Sequence, residues 1–459
     1  MTLIPYKHKD CRPAFPVTSA AASSTTLALR NLLHRGASGA LAVSVVGTAL
    51  GFVIHVVVAR LIGKADYGVY ALMLSWIGVL ATVAQAGQDT NVVRFLPTYV
   101  LRGEWSKAHG LRRGIGFLVL GIAIVMGLVG CTVVYFTRAH HSSEWCATFY
   151  IGFAMLPILT QLQQSGAVHR AFKRAASSNA YNLIVRPLVL IALLPLLVLI
   201  FHRINAPLAA AASAIAALVA LAASAWHLSR AWPSAGTHAR PEYRLGEWMR
   251  LGVQLSAFSI IWVVGYRVDV LILGGLLGAE DVGPYYAATI MAAVSTYVLN
   301  AVNVALGPMI AERYDANDLP GLRAICRRAA HISFAGALVA WILIAALGHW
   351  ALGLFGRGFE SAYVPLLILA AGGALASVFG PVDAILALTK YQKQISLFVL
   401  VGVLVNGLTA VVLVPHLGPS GAAIAFALAI IVWRSMAFWY AAVRLGINPL
   451  RAGEHRGHG

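Results

Sequence analysis

Six ionisable side chains lie inside long apolar stretches of this chain: Arg60, Arg186, Arg267, Asp269, Asp383 and Arg434. In a hydrocarbon layer such a group costs about 2.5–3.5 kcal/mol on insertion scales, so its presence is a functional hypothesis by default. Four cations against two acids leave a positive surplus, which suits an anionic head group. Arginine fits that work because its planar fork grips phosphate oxygens in pairs. Arg267 is the foremost candidate for contact with an anionic, phosphate-bearing head group; a structural ion pair or a side chain snorkelling to the interface are the competing roles. Arg60 stands near the end of the first apolar stretch, where snorkelling fits better than ligand binding, and Arg186 near the start of the fifth carries the same ambiguity.

The two acids raise a different chemistry. Asp269 is two residues from Arg267, so the pair does not share a helix face. Asp383 follows Pro381, which opens the helix ladder and makes a hinge or bend. Either acid is a candidate for taking up a proton or sodium ion; for Asp383 the alternative is a fixed structural pair with Arg434. Gln85, Gln88 and Asp89, and further on Gln161, Gln163 and Gln164, offer hydrogen bonds to sugar hydroxyls or to neighbouring helices. Lone His55 and His169 read as structural. Asp66 and Asp281 read as helix caps rather than substrate contacts.

The elements that must hold these groups are membrane helices. Of the 459 residues 59% are hydrophobic and 11% charged, and mean hydropathy is +0.78. A soluble domain is about a quarter charged. The apolar runs reach about 20 residues or more, the length of a bilayer-spanning helix, and helices are the default because backbone groups cannot stay unpaired in lipid. Twelve helices are expected, beginning near Gly39, Gly68, Gly114, Cys146, Ala180 and Ala206, then near Leu251, Val282, Ala330, Ala362, Ile395 and Gly421. No cleavable signal is evident, since the first apolar run, Gly39 to Ile62, is too long for one.

Ten residues occur twice. Leu61 to Tyr70 and Leu276 to Tyr285 both read Leu-[Ile/Leu]-Gly-x-x-Asp-x-Gly-x-Tyr, each between two apolar stretches. The chain therefore divides into two like halves, 37–228 and 251–444. A basic segment (1–36) precedes them, a linker (229–250) carrying Pro233 and Pro241 joins them, and a tail (445–459) follows. Six spans per half give both halves the same orientation, so the pseudo-twofold axis runs along the membrane normal. Gly63, Gly68, Gly278 and Gly283 fit a tight helix–turn–helix connection.

Basic residues choose the orientation. They concentrate in the alternate connecting segments that include both termini, while the other segments hold only Lys64, Arg138, Arg203 and Arg357. Both termini are expected in the cytoplasm and both copies of the repeat outside. The formal charge of +18 is read in this way rather than as a sign of nucleic-acid binding. Asn91 to Arg113 and Ala311 to Arg328 mix apolar and basic residues as surface amphipathic helices do. Trp105, Trp145, Trp248 and Trp350 fit interfacial belts. Cys131 and Cys146 lie near the same face, leaving a disulfide open; Cys11, Cys326, His455 and His458 show no metal-ligand spacing.

The Gly-x-x-Asp-x-Gly-x-Tyr turn, Asp269 to Gly274 and Val282 to Ala288 resemble the polysaccharide flippases of the multidrug/oligosaccharidyl-lipid/polysaccharide exporter superfamily. The resemblance implies two six-helix bundles in a V around a central cavity, no enzymatic activity and no cofactor. Its implied cargo is an undecaprenyl-pyrophosphate-linked oligosaccharide for O-antigen, capsule or exopolysaccharide, carried across the bacterial inner membrane, with membrane lipids around it and a polysaccharide polymerase as a conceivable partner. Two alternatives remain. A cation-coupled multidrug antiporter of the same superfamily would be expected to carry acids rather than arginines in its cavity. A membrane polymerase or ligase needs a large outer loop with catalytic residues, and the connecting segments here are short, without paired carboxylates, HExxH or GxSxG.

Overall fold

Backbone groups in lipid must pair within the chain, and the described residues carry helices and no strand. The computed structural model describes residues 19–233, 239–316, 318–389 and 391–445. Most of the N-terminal basic segment with Cys11, the tail from 446 with His455 and His458, and Lys390 lie outside the described residues.

In chain order the first half comprises α1 (Ser19–Gln85), α2 (Gln88–Leu101), α3 (Trp105–Thr137), α4 (Ser143–Ala171), α5 (Ala175–Ala180), α6 (Arg186–Phe201) and α7 (Ala206–Ala231). The second comprises α8 (Leu245–Gly265), α9 (Val268–Leu276), α10 (Ala279–Ala292), α11 (Val294–Asp315), α12 (Leu319–Gly353), α13 (Tyr363–Ser377), α14 (Val382–Leu388), α15 (Gln392–Leu417) and α16 (Pro419–Leu445). Nine helices among the described residues are each long and apolar enough to span a bilayer, or eleven with two bent pairs, one being α10 and α11, which meet at 40°. One of the nine, Ala42–Gln85, is 44 residues long, and Gly63 breaks it at φ 81°, ψ 175°. At 1.5 Å per residue it is about twice a bilayer thickness, so it forms two spans and brings the number to twelve.

The duplication is visible in geometry. Gly278, 215 residues after Gly63, has φ 90° and ψ 179°, the same conformation, which only glycine adopts without strain. Helix pairs repeat as well: α3 packs on α4 as α12 packs on α13, α4 on α7 as α13 on α16, and α6 on α7 as α15 on α16. Two six-helix bundles thus face each other across a pseudo-twofold along the membrane normal. Large apolar side chains such as Phe117, Leu199 and Leu408 are exposed on the outside of the bundles, as contact with lipid requires.

Some details differ from the sequence pattern. α3 and α12 begin some ten residues before their apolar runs, so the basic segments continue the spanning helices instead of lying flat, and only α2 is a separate short helix. Trp248 is 1% exposed, packed among Leu96, Leu111 and Ile115 where the linker crosses α3, and is not an interfacial residue. Asp281 makes no cap: Gly278 takes the N-cap position and Asp281 falls in the first turn of α10, where its charge favours the helix dipole. Cys131 and Cys146 are free thiols.

Candidate functional site

Between the two bundles lies a chamber of about 480 Å³. Its wall is built by Phe52 and His55 of α1, Leu183, Arg267 and Asp269 at the break between α8 and α9, Tyr286 and Thr289 of α10, and Phe426 of α16. The break is what brings Arg267 there. Arg267 leaves helical geometry at φ −132°, and the Gly265 carbonyl freed at that point accepts from buried Asn406 Nδ2 at 3.3 Å. The Arg267 guanidinium lies 5.3 Å from the Tyr286 ring centre, a cation–π distance. His55 meets the edge of the same ring at 5.5 Å and bonds the Tyr67 hydroxyl at 3.1 Å.

Arg186 belongs to this group. α5 widens through a π turn, Tyr181–Val185, before α6 begins at Arg186. Such bulges cluster at functional sites. Arg186, three residues beyond Leu183 of the chamber wall, donates through Nη1 to Asn182 Oδ1 at 3.4 Å. One cation, an imidazole and the phenols of Tyr266, Tyr286 and Tyr297 therefore line one space, with Arg186 close behind its wall. Asp269 is 1% exposed; its Oδ2 accepts from the Tyr285 hydroxyl at 2.5 Å and its Oδ1 has no partner. Arg60 is exposed near the end of the first span and does not line the chamber.

The repeated turns close one end of the chamber by packing on each other. A Cβ on Gly68 would run into the Ala279 carbonyl, and one on Gly283 into the Lys64 carbonyl. Lys64 bridges to Glu280 across the seam at 3.3 Å, and Tyr67, Phe355 and Phe359 are fully buried beneath it. So two of the four glycines serve the turns and two serve contact between the halves.

Toward the opposite, basic end lies a vestibule of about 270 Å³ lined by Gln85, Gln163, Asn179, Asn182, Ser256 and Ser259 among others. Gln88 does not line it. Gln88 is fully buried, donates to the Trp248 carbonyl at 3.3 Å and accepts from Asn91, which also donates to that carbonyl at 2.6 Å. This second seam includes Gly87 and Gly252 in backbone contact. Gln161 is spent on the Gly116 carbonyl at 2.7 Å, and Gln164 is buried in α4.

Asp383 and Arg434 form a unit within the second half. Arg434 Nη2 lies 3.2 Å from Asp383 Oδ2, which also accepts from Asn303 at 3.1 Å. Arg434 Nη1 reaches the Ala376 and Gly380 carbonyls at 3.5 and 3.4 Å, at the break between α13 and α14 that contains Gly380 (φ 66°) and Pro381. The cation thus bonds one carbonyl in the last turn of α13 and one within this break, where the helix ladder is interrupted. Among the described residues no three His, Cys, Asp or Glu side chains converge on a metal-sized site. Neither His55 nor Tyr286 is legible as a chamber residue from its sequence context, because which face of an all-apolar helix meets a cavity is not encoded in its periodicity.

The profile of the family described as "Polysaccharide biosynthesis protein" matches residues 33–313. The chain belongs to that family. Among solved structures it is similar to an inward-facing conformation of a multidrug resistance MATE family transporter of the MOP superfamily, with a TM-score of 0.74 at 14% identity over 89% of this chain and 98% of the other. It is also similar to lipid II flippase MurJ in an inward closed conformation, with 0.69 at 12% identity over 88% and 87%. An outward-facing MATE conformation gives 0.58 at 14% identity over 90% and 96%. No curated protein matches in sequence. The fold is that of the superfamily's transporters and flippases.

Proposed function

We propose that the chain is an alternating-access flippase for undecaprenyl-pyrophosphate-linked oligosaccharide repeat units in the bacterial inner membrane, serving O-antigen, capsule or exopolysaccharide synthesis. The observation that carries this reading is the chamber between the bundles with Arg267 in its wall and Arg186 beside it. A pyrophosphate there meets Arg267 in a low-dielectric space, with the Arg186 charge close behind the wall, while the lipid tail stays in the bilayer. The charge asymmetry of the connecting segments makes the basic end cytoplasmic and the repeated turns external. Closure at the turns, together with better superposition on the inward-facing than the outward-facing MATE conformation, supports an inward-facing state.

We assign coupling to a proton or sodium gradient to Asp269, which lines the chamber and is bonded by the neutral Tyr285 hydroxyl, rather than to Asp383, which lies outside the chamber wall and is paired with the Arg434 cation. A multidrug antiporter shares the fold, but its cationic substrates would be repelled by Arg267 and Arg186. The deciding experiment is deletion of the gene: surface polysaccharide is lost and lipid-linked repeat units accumulate on the cytoplasmic leaflet. Normal polymer with altered drug resistance overturns the proposal.

A further inference from the structure

The vestibule differs in chemistry from the chamber above it. Among the described residues its only formal charges are Asp89 and Arg170, which lie 3.6 Å apart and cancel. The rest of its polar wall is neutral amide and hydroxyl, drawn from both halves: Gln85 of α1, Gln163 of α4, Asn179 and Asn182 around the π turn, Ser256 and Ser259 of α8. Gln85 is 5% exposed and spends its amide nitrogen on the Thr160 carbonyl at 2.7 Å, so its Oε1 is a buried acceptor without a donor. Such an acceptor is costly unless a hydroxyl reaches it. A lipid-facing bundle has no use for so many neutral hydrogen-bonding groups in one cleft unless a polar guest or water fills it.

The two spaces are joined through consecutive residues. Asn182 lines the vestibule, Leu183 lines the chamber, and Arg186 donates to Asn182 one turn later. A ligand spanning both would place an anion beside the arginines and an uncharged, hydroxyl-rich part among the amides. We infer that the vestibule is a glycan subsite that takes the neutral sugar adjoining the pyrophosphate. This rests on the flippase reading and adds a division of labour: Arg267 recognises every cargo through its phosphates, and Asn179, Gln163 and Ser259 discriminate among sugars. An acidic sugar would find no free cation in this cleft, because Arg170 is occupied by Asp89.

The test uses the full-length protein in lipid nanodiscs with two probes, polyprenyl pyrophosphate and polyprenyl pyrophosphate carrying one N-acetylhexosamine, with binding followed by native mass spectrometry. The protein should bind the sugar-bearing probe more tightly than the bare one. Asn179→Leu and Ser259→Leu should each reduce that preference by roughly three- to tenfold, the worth of a lost neutral hydrogen bond, with affinity for the bare probe unchanged. Retained affinity for the bare probe also shows that each variant is folded. Arg267→Ala should weaken both probes by the same factor. Equal affinity of the wild type for the two probes, or an unaltered preference in both vestibule variants, overturns the subsite and leaves the flippase reading standing. No binding of either probe, with no effect of Arg267→Ala, overturns the flippase reading itself.

Discussion

Replacing Gly68 by alanine tests how the halves move. The added methyl meets backbone, the Ala279 carbonyl, which cannot rotate aside as a side chain can. α1 and α10 must separate locally, and forced overpacking of this kind costs about 1–3 kcal/mol. The cost exists only while the turns are packed together. The intrinsic helix preference of alanine over glycine, up to about 1 kcal/mol, applies equally with the turns apart and cancels. The equilibrium between closed and open turns should therefore move toward open by about 5- to 150-fold. Spin labels at Lys64→Cys and Glu280→Cys, a pair that faces across the seam at 3.3 Å in the native protein, report the separation by double electron–electron resonance. Gly68→Ala should add or enlarge a long-distance population, and Gly283→Ala should do the same, since its methyl would meet the Lys64 carbonyl. The two effects should not add, because they strain one contact. Gly78→Ala is the control: it lies on the same helix, and nothing stands within 4 Å of its added carbon. Identical distance distributions in Gly68→Ala, Gly78→Ala and the parent would refute the idea that this seam is a gate.

Three further outcomes are expected. Arg267→Ala should cut complementation of polymer export at least tenfold without lowering membrane levels, and Arg267→Lys should recover only part, since a point charge lacks the bidentate fork; full export in Arg267→Ala removes it from the cargo site. Asp383→Ala strands buried Arg434 without its carboxylate, so detergent-solubilised protein should lose about 3–5 kcal/mol of stability, seen as a clear fall in melting temperature, whereas an unchanged melting temperature would show that the pair is not structural. Alkaline phosphatase inserted at His141 should be active and at Glu104 inactive; the reverse pattern would invert the assigned orientation.

Much of the architecture was legible because it rests on patterns that lipid enforces everywhere. Run length, the alternation of basic segments and the ten-residue repeat led to twelve spans in two like halves without reference to any single contact. Packing roles were less legible. Gly68 and Gly63 look equivalent in sequence, yet one meets a facing backbone and the other supplies a positive φ. Gln88 and Gln85 are three residues apart and part company: one binds the Trp248 carbonyl in a seam, the other leaves an acceptor in a cavity wall. Rotation of a helix about its axis decides each case, and in spans apolar on most sides no hydrophobic stripe encodes that rotation.

The position 215 residues before Arg267 is Phe52, and both line the chamber. They are pseudo-twofold mates meeting in one space near the axis. Had the duplicated halves stayed alike, two arginines would confront each other there without cargo, and desolvation would add to their repulsion. Replacing one mate by a phenyl ring leaves the fold's symmetry intact and the chamber's charge one-sided. His55 and Tyr286 have no polar mates either, standing opposite Val270 and Ala71. Tyr286 carries Arg267 on its face and His55 at its edge, so each half contributes a different part to one polar cluster. The symmetric residues, Gly63 with Gly278 and Gly68 with Gly283, set how the halves turn and touch. On the proposed function, a single asymmetric phosphate group would be held by the residues in which the halves have diverged, and would move between the two sides of the membrane on the residues in which they have not.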